Sequence, residues 1–61
     1  MKREWGARAK LVFLYVEQTG TATLDELRDR LGMNLTELYP VLRHLESEGA
    51  VVRDGEAVYC A

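Results

Sequence analysis

The sequence predicts an α+β fold, mostly α-helical, in which three helices precede a C-terminal two-stranded β-hairpin. Two observations carry this prediction. Apolar residues recur at helical spacing in three successive segments, and a glycine follows each segment. The C-terminal residues instead contain two short β-prone runs on either side of an Asp-Gly dipeptide, a strong signal for a tight hairpin turn. With 61 residues, the chain is expected to be a single domain, 1–61, with one core.

The first helical segment is predicted from Trp5 to Gln18 and carries two apolar stripes. One follows the i, i+3, i+4, i+7 pattern and is assigned to the core: Leu11, Leu14, Tyr15 and Gln18. The second stripe has no assigned place in the core and consists of Trp5, Ala9, Val12 and Val16, with Phe13 at its edge. Since one helix of so small a domain buries one stripe, the left-over stripe is expected to form a homodimer interface. The alternative is that Trp5 folds back and covers this stripe within one chain.

The second helical segment, Leu24–Leu31, has clear signals at both ends. Thr23 and Glu26 are spaced as a capping box, in which each side chain accepts a hydrogen bond from the backbone N–H of the other residue. Gly32 follows the last apolar residue. It is expected to end the helix in the left-handed backbone conformation, which glycine adopts without steric cost.

The third helical segment follows a three-residue turn that begins at Gly32. Asn34 is a strong N-cap with Glu37 three residues on, and the helix is expected to continue to Glu48. Pro40 lies inside it and removes one backbone hydrogen bond, at a cost of about 3 kcal/mol unless the helix kinks there. Two helices joined by so short a glycine-containing turn form a helix-turn-helix, in which the second helix projects its outer face from the body.

The C-terminal segment, residues 50–60, is predicted to be a hairpin that turns at Asp54 and Gly55 in a type I′ turn. Thr21 and Ala22 are expected to be extended. The order of elements therefore predicts a three-helix winged helix-turn-helix, in which the hairpin is the wing and lies beside the groove that the third helix enters.

The residues from Leu31 to Val51 resemble the helix-turn-helix and wing entry of winged-helix regulators. Within them, Leu-Tyr-Pro-Val-Leu-Arg-His-Leu-Glu at 38–46 is similar to the recognition helix of PadR-like regulators, and MarR-like regulators are wider kin. The resemblance covers nearly the whole chain. It implies a sequence-specific regulator of transcription that binds double-stranded DNA, with the helix Asn34–Glu48 in the major groove.

The resemblance also implies where DNA is bound: on the outer face of the third helix and on the wing. The basic residues of the N-terminus are the best remaining phosphate ligands if this segment lies against DNA. Arg43 is expected to bind phosphate or guanine, and Arg53 is expected to bind phosphate from the wing. The expected DNA-binding residues are Leu35, Thr36, Tyr39, Pro40, Arg43, Arg53, Lys2, Arg3, Arg8 and Lys10. The alternative, that Tyr39 and Pro40 are structural, remains open.

The distribution of charge supports a second interpretation. The chain has a net charge of −2, and the first ten residues hold four basic residues and one acidic residue. The remaining residues hold four basic and nine acidic residues. Because neutralisation of phosphates supplies much of the affinity for DNA, an acidic body favours a winged helix that binds another protein in a larger assembly.

Other function classes have little support in the sequence. No carboxylate pair, nucleophile–base set or phosphate loop predicts an enzyme. One cysteine and one histidine do not supply a metal site, and neither a cofactor nor a metal is expected. No apolar run approaches the roughly 18 residues that cross a bilayer, so no membrane partner is expected. A single free thiol suits a cytoplasmic protein.

Overall fold

The computed structural model describes residues 6–61, which form three α-helices and a three-stranded antiparallel sheet. In chain order the elements are α1 (Ala7–Thr19), β1 (Thr21–Thr23), α2 (Leu24–Leu31), α3 (Leu35–Ser47), β2 (Val51–Asp54) and β3 (Ala57–Cys60). The predicted α+β, mostly helical class is therefore confirmed. The predictions made for Lys2, Arg3 and Trp5 fall outside the described residues.

The sheet has one strand more than the sequence predicts. Its order is β1-β3-β2, and β1 pairs with β3 through Thr21–Tyr59, Ala22–Val58 and Thr23–Ala57. The extended piece expected at Thr21 and Ala22 is thus the third strand, so the two-stranded prediction is wrong. The pairing satisfies the second edge of β3 and holds Ala22, which is 2% exposed, in the core.

The hairpin turn lies one residue later than predicted. Arg53 pairs with Val58 and Asp54 pairs with Ala57, so the two turn residues are Gly55 and Glu56. Gly55 has a φ of +65°. All residues with a positive φ among 6–61 are glycines, so the second turn residue, Glu56, has a negative φ. A positive φ at the first turn residue alone is the pattern of a type II′ turn, not of the predicted type I′.

The signals at the ends of α2 and α3 form as predicted. Thr23 and Glu26 make both hydrogen bonds of the capping box, and Gly32 ends α2 in the left-handed conformation with a φ of +68°. The side chain of Asn34 accepts a hydrogen bond from the backbone N–H of Glu37 at 3.0 Å. From this cap, α3 continues through Pro40 without a break.

The core lies between the helices and the inner face of the sheet. Its twelve buried residues are Ala9, Val12, Val16, Ala22, Leu24, Leu27, Met33, Leu38, Leu42, Leu45, Val51 and Val58. They come from every helix and every strand, and Met33 adds the turn between α2 and α3. No polar or charged residue among 6–61 is buried.

The assignment of the two stripes of α1 from the sequence is wrong except at Tyr15, which is half-buried and packs against the core. Val12 and Val16 are fully buried and Ala9 is 5% exposed, whereas Leu11 and Leu14 are 48% and 46% exposed. Phe13 is half-buried and packs against the core. Ala9, Val12, Phe13 and Val16 therefore face the interior of their own chain and do not present the predicted dimer interface.

Spacing and side-chain type together explain which stripe of α1 is buried. Ala9, Val12, Phe13 and Val16 are an uninterrupted i, i+3, i+4, i+7 set of apolar residues, whereas the stripe that begins at Leu11 ends in a polar glutamine. The buried stripe faces α3 and β3, against which α1 packs. Both faces of α1 have helical periodicity. They differ in their last residue, which is apolar (Val16) in the buried stripe and polar (Gln18) in the exposed one.

Candidate functional site

The face of α3 opposite the core is open to solvent. Its side chains recur every three or four residues and line a shallow depression: Thr36, Tyr39, Pro40, Arg43, His44 and Ser47. All six are exposed. They stand out from the body because Leu38, Leu42 and Leu45 anchor the other side of the same helix in the core. We refer to these six residues as the outer face of α3.

On the side of the hairpin, Arg53 of β2 borders this outer face. Its guanidinium carbon lies 5.8 Å from the centre of the Tyr39 ring, within the range of a cation–π contact. Its Nε atom is 3.4 Å from Oε2 of Glu46, and a terminal nitrogen donates a 3.4 Å hydrogen bond to the carbonyl oxygen of Gly55. These contacts hold one positive charge beside α3.

On the opposite side, an arginine of α1 takes a similar position. Arg8 lies 3.3 Å from a carboxylate oxygen of Glu37, and the two side chains are 63% and 38% exposed. Glu37 and His44 are seven residues apart, as are Tyr39 and Glu46, so the two pairs follow opposite margins of α3. Each margin therefore has a glutamate of α3 that holds an arginine from another element.

Arg43 lies between these margins and is not neutralised by any residue of 6–61. Within residues 6–61 the ion pairs join Arg8 to Glu37, Arg28 to Asp25, and Arg53 to Glu46, and Arg43 takes part in none of them. The surface is nevertheless not strongly basic, because α3 and its C-cap also carry Glu37, Glu46 and Glu48. Within the described part of the chain, a ligand of this face therefore meets the guanidinium of Arg43, which has no carboxylate partner there, and those of Arg8 and Arg53, which are paired.

No protein-family model, curated protein or solved structure matches the chain. In the part of the chain that the structure describes, no group of three or more His, Cys, Asp or Glu side chains is placed to hold a metal ion. No helix among these residues is long and apolar enough to cross a membrane. The functional argument therefore depends on the geometry of α3 and its margins.

Most of the residues that are expected from the sequence to bind DNA lie close together in the structure. Thr36, Tyr39, Pro40 and Arg43 share the outer face, and Arg53 and Arg8 lie at its margins. Two further residues stand apart from this group. Leu35 is half-buried and packs against the core, and Lys10 is exposed on α1.

Three residues that matter for this surface are absent from the sequence prediction. His44 lines the depression, and Glu37 and Glu46 fix the two marginal arginines. The spacing of His44 from Pro40, four residues along the same helix, was a usable signal. The two glutamates had none, since each pairs with an arginine of another element and helical periodicity does not specify that pairing.

Proposed function

We propose that the chain is a DNA-binding transcriptional regulator with winged helix-turn-helix architecture. In this proposal α2 and α3 are the helix-turn-helix, and β2 and β3 are the wing. The observation that supports it most is the exposed outer face of α3, which is bordered on both long sides by an arginine from another element. A helix with this arrangement fits a DNA major groove about 12 Å wide.

Each charged group has a distinct role in the proposed complex. Arg43, on the outer face, contacts a base edge or a phosphate within the groove. Arg8 and Arg53 reach the phosphates of the two strands that form the walls of the groove. Each of these two arginines exchanges a carboxylate partner for a phosphate, so its net contribution to affinity is smaller than that of Arg43. Thr36 and Ser47 add hydroxyl groups near the two ends of the face.

Titration of a pool of mixed-sequence duplex DNA at two salt concentrations tests this proposal. If three phosphates are neutralised, raising salt from about 50 to 200 mM lowers the affinity roughly 40-fold, at a logarithmic slope of about 0.9 per phosphate. The Arg43→Ala variant removes one of these contacts. It is expected to bind at least about five-fold more weakly at low salt and to reduce the slope by about 1.

Arg30→Ala is the matched control, because it removes the same charge from an exposed position of α2 on the side that faces Tyr15. It is expected to bind DNA like the original protein. The proposal fails if the original protein does not bind duplex DNA at low salt. It also fails if Arg43→Ala and Arg30→Ala weaken binding equally, since binding would then follow net charge alone.

The pairing of the marginal arginines favours a second candidate function, binding to another protein. Glu37 and Glu46 already neutralise Arg8 and Arg53, and Tyr39 and Pro40 offer an apolar surface beside Arg43. Aromatic and arginine side chains are common at the centres of protein interfaces. Absence of a DNA complex at low salt in the titration above would favour this function.

A further inference from the structure

The solvent side of α1 carries a seam of side chains, apolar except for a glutamine at its C-terminal end, that no described part of the chain covers. Its members are separated by four, three and four residues: Ala7, Leu11, Leu14 and Gln18. This is the spacing by which two helices pack in a coiled coil. The two leucines at its centre are each nearly half exposed, although both are among the most hydrophobic residues of the helix.

Opposite charges follow one flank of this seam. Lys10 and Glu17 are seven residues apart, so both lie on the same side of Leu14, one toward each end of α1. Both side chains are exposed, and neither forms an ion pair within residues 6–61. On the other flank lie Arg8, which is paired with Glu37, and Tyr15, which is hydrogen-bonded to Glu26.

We propose that α1 pairs with α1 of a second copy of this chain, in antiparallel orientation about a two-fold axis. Antiparallel helices bring the same flank of each helix together, so Lys10 lies beside the partner's Glu17. The two-fold axis then repeats the contact, which gives two ion pairs of opposite charge. Parallel helices would instead place Lys10 beside the partner's Tyr15 and leave Glu17 without a basic neighbour.

The same orientation joins the apolar parts of the two seams. Leu11 packs on the partner's Leu14, and Ala7 lies opposite the partner's Gln18. Beside the seam, Tyr15, Thr19 and Leu31 help to line a shallow depression that accepts the edge of the second helix. Because α1 is only 13 residues long, the buried area is at the small end for specific interfaces, and we expect a dissociation constant in the micromolar range.

Sedimentation equilibrium of charge-reversal variants tests both the interface and its orientation. The original protein is expected to dimerise between about 10 and 500 µM. Lys10→Glu and Glu17→Lys, each studied alone, place two pairs of like charges across the interface and are expected to remain monomeric in this range. An equimolar mixture of these two variants restores two pairs of opposite charge, and is expected to sediment as a heterodimer.

Two controls separate this result from other causes. Circular dichroism of each variant checks that it is folded, which is expected because both positions are exposed. Arg43→Glu changes the net charge as Lys10→Glu does, but on the outer face of α3, and it is expected to dimerise normally. The proposal is overturned if the original protein is monomeric throughout, or if mixing the two variants does not restore the dimer. Neither outcome depends on DNA binding.

Discussion

Glu26 joins α1 to α2 through the two oxygens of one carboxylate. One oxygen accepts a 3.4 Å hydrogen bond from the backbone N–H of Thr23, which completes the capping box. The other accepts a 2.6 Å hydrogen bond from the hydroxyl group of Tyr15. A hydrogen bond to a charged acceptor is stronger than one between neutral groups. This single residue therefore fixes the start of α2 and the position of α1 beside it.

The same contact raises the pKa of the Tyr15 phenol above its usual value. The main cause is the hydrogen bond that the neutral phenol donates to Glu26. Partial desolvation and the negative charge of Glu26 act in the same direction, and the charge of Arg30 opposes them. Since the folded chain favours the protonated phenol, this stabilisation is fully present below the ordinary tyrosine pKa of about 10. It is lost as the pH rises through the raised value.

Tyr15→Phe is accordingly expected to lower the free energy of unfolding at neutral pH, because Glu26 loses its hydroxyl donor. The difference from the original protein should shrink as the pH rises above about 10, where the phenol ionises. Urea denaturation followed by circular dichroism at several pH values measures this difference. Tyr59→Phe, at an exposed position, is the control. A difference that stays constant up to strongly alkaline pH would contradict the assigned role.

At the scale of elements, the sequence predicts best what depends on neighbouring residues. The bounds of α2 and the start of α3 follow from Thr23, Gly32 and Asn34, whose capping contacts span three or four residues. Helical periodicity alone did not predict the buried face of α1, because both of its stripes have this periodicity and differ only in their last residue, apolar Val16 or polar Gln18. What packs against α1 decides which stripe is buried, and those partners are distant in sequence.

The same division holds for the sheet and for the candidate site. The pairing of β1 with β3 joins residues more than 30 positions apart, and nothing in Thr21–Thr23 specifies it locally. The outer face of α3 was predictable from periodicity, and the structure brings most of its expected members together. The partners of Arg53 were not, because they depend on how the hairpin packs beside α3, which periodicity does not specify.

Pro40 is a weakness within α3 that a substitution can remove. It has no N–H to donate to the carbonyl oxygen of Thr36, although the helix continues on both sides of it. Pro40→Ala restores this bond at an exposed position, and is expected to raise the free energy of unfolding by about 1 kcal/mol. Thermal denaturation measures the change, with Thr36→Ala as the control on the same face. A lower midpoint for Pro40→Ala would show that packing of the proline ring outweighs the missing bond.

For the molecule as a whole, the small size leaves little margin of stability. At about 0.05–0.15 kcal/mol per residue, a chain of 61 residues is stable by roughly 3–9 kcal/mol. Twelve buried side chains form one core, in which each helix depends on the others and on the sheet. Loss of one large buried side chain therefore removes a large part of the total.

Leu38→Ala tests this dependence, since Leu38 is fully buried at the first turns of α3. Replacing a buried leucine by alanine costs about 2–5 kcal/mol, so this variant is expected to be largely unfolded or close to it. Leu14→Ala makes the same change at a side chain that is 46% exposed, and is expected to cost less than about 1 kcal/mol. Urea denaturation at low-micromolar protein compares the two while the proposed dimer is dissociated. Similar costs for both would contradict the single-core account.

The tip of the hairpin is fastened to the rest of the molecule. The carbonyl oxygen of Glu56 accepts a 2.9 Å hydrogen bond from the backbone N–H of Leu24, at the beginning of α2. This bond satisfies one of the amides that the first turn of any helix leaves without an internal acceptor. The tip of the hairpin is consequently held in one position against the start of α2. Any partner that it touches must match a shape already set, and pays little of the entropic penalty that ordering a loose loop would impose.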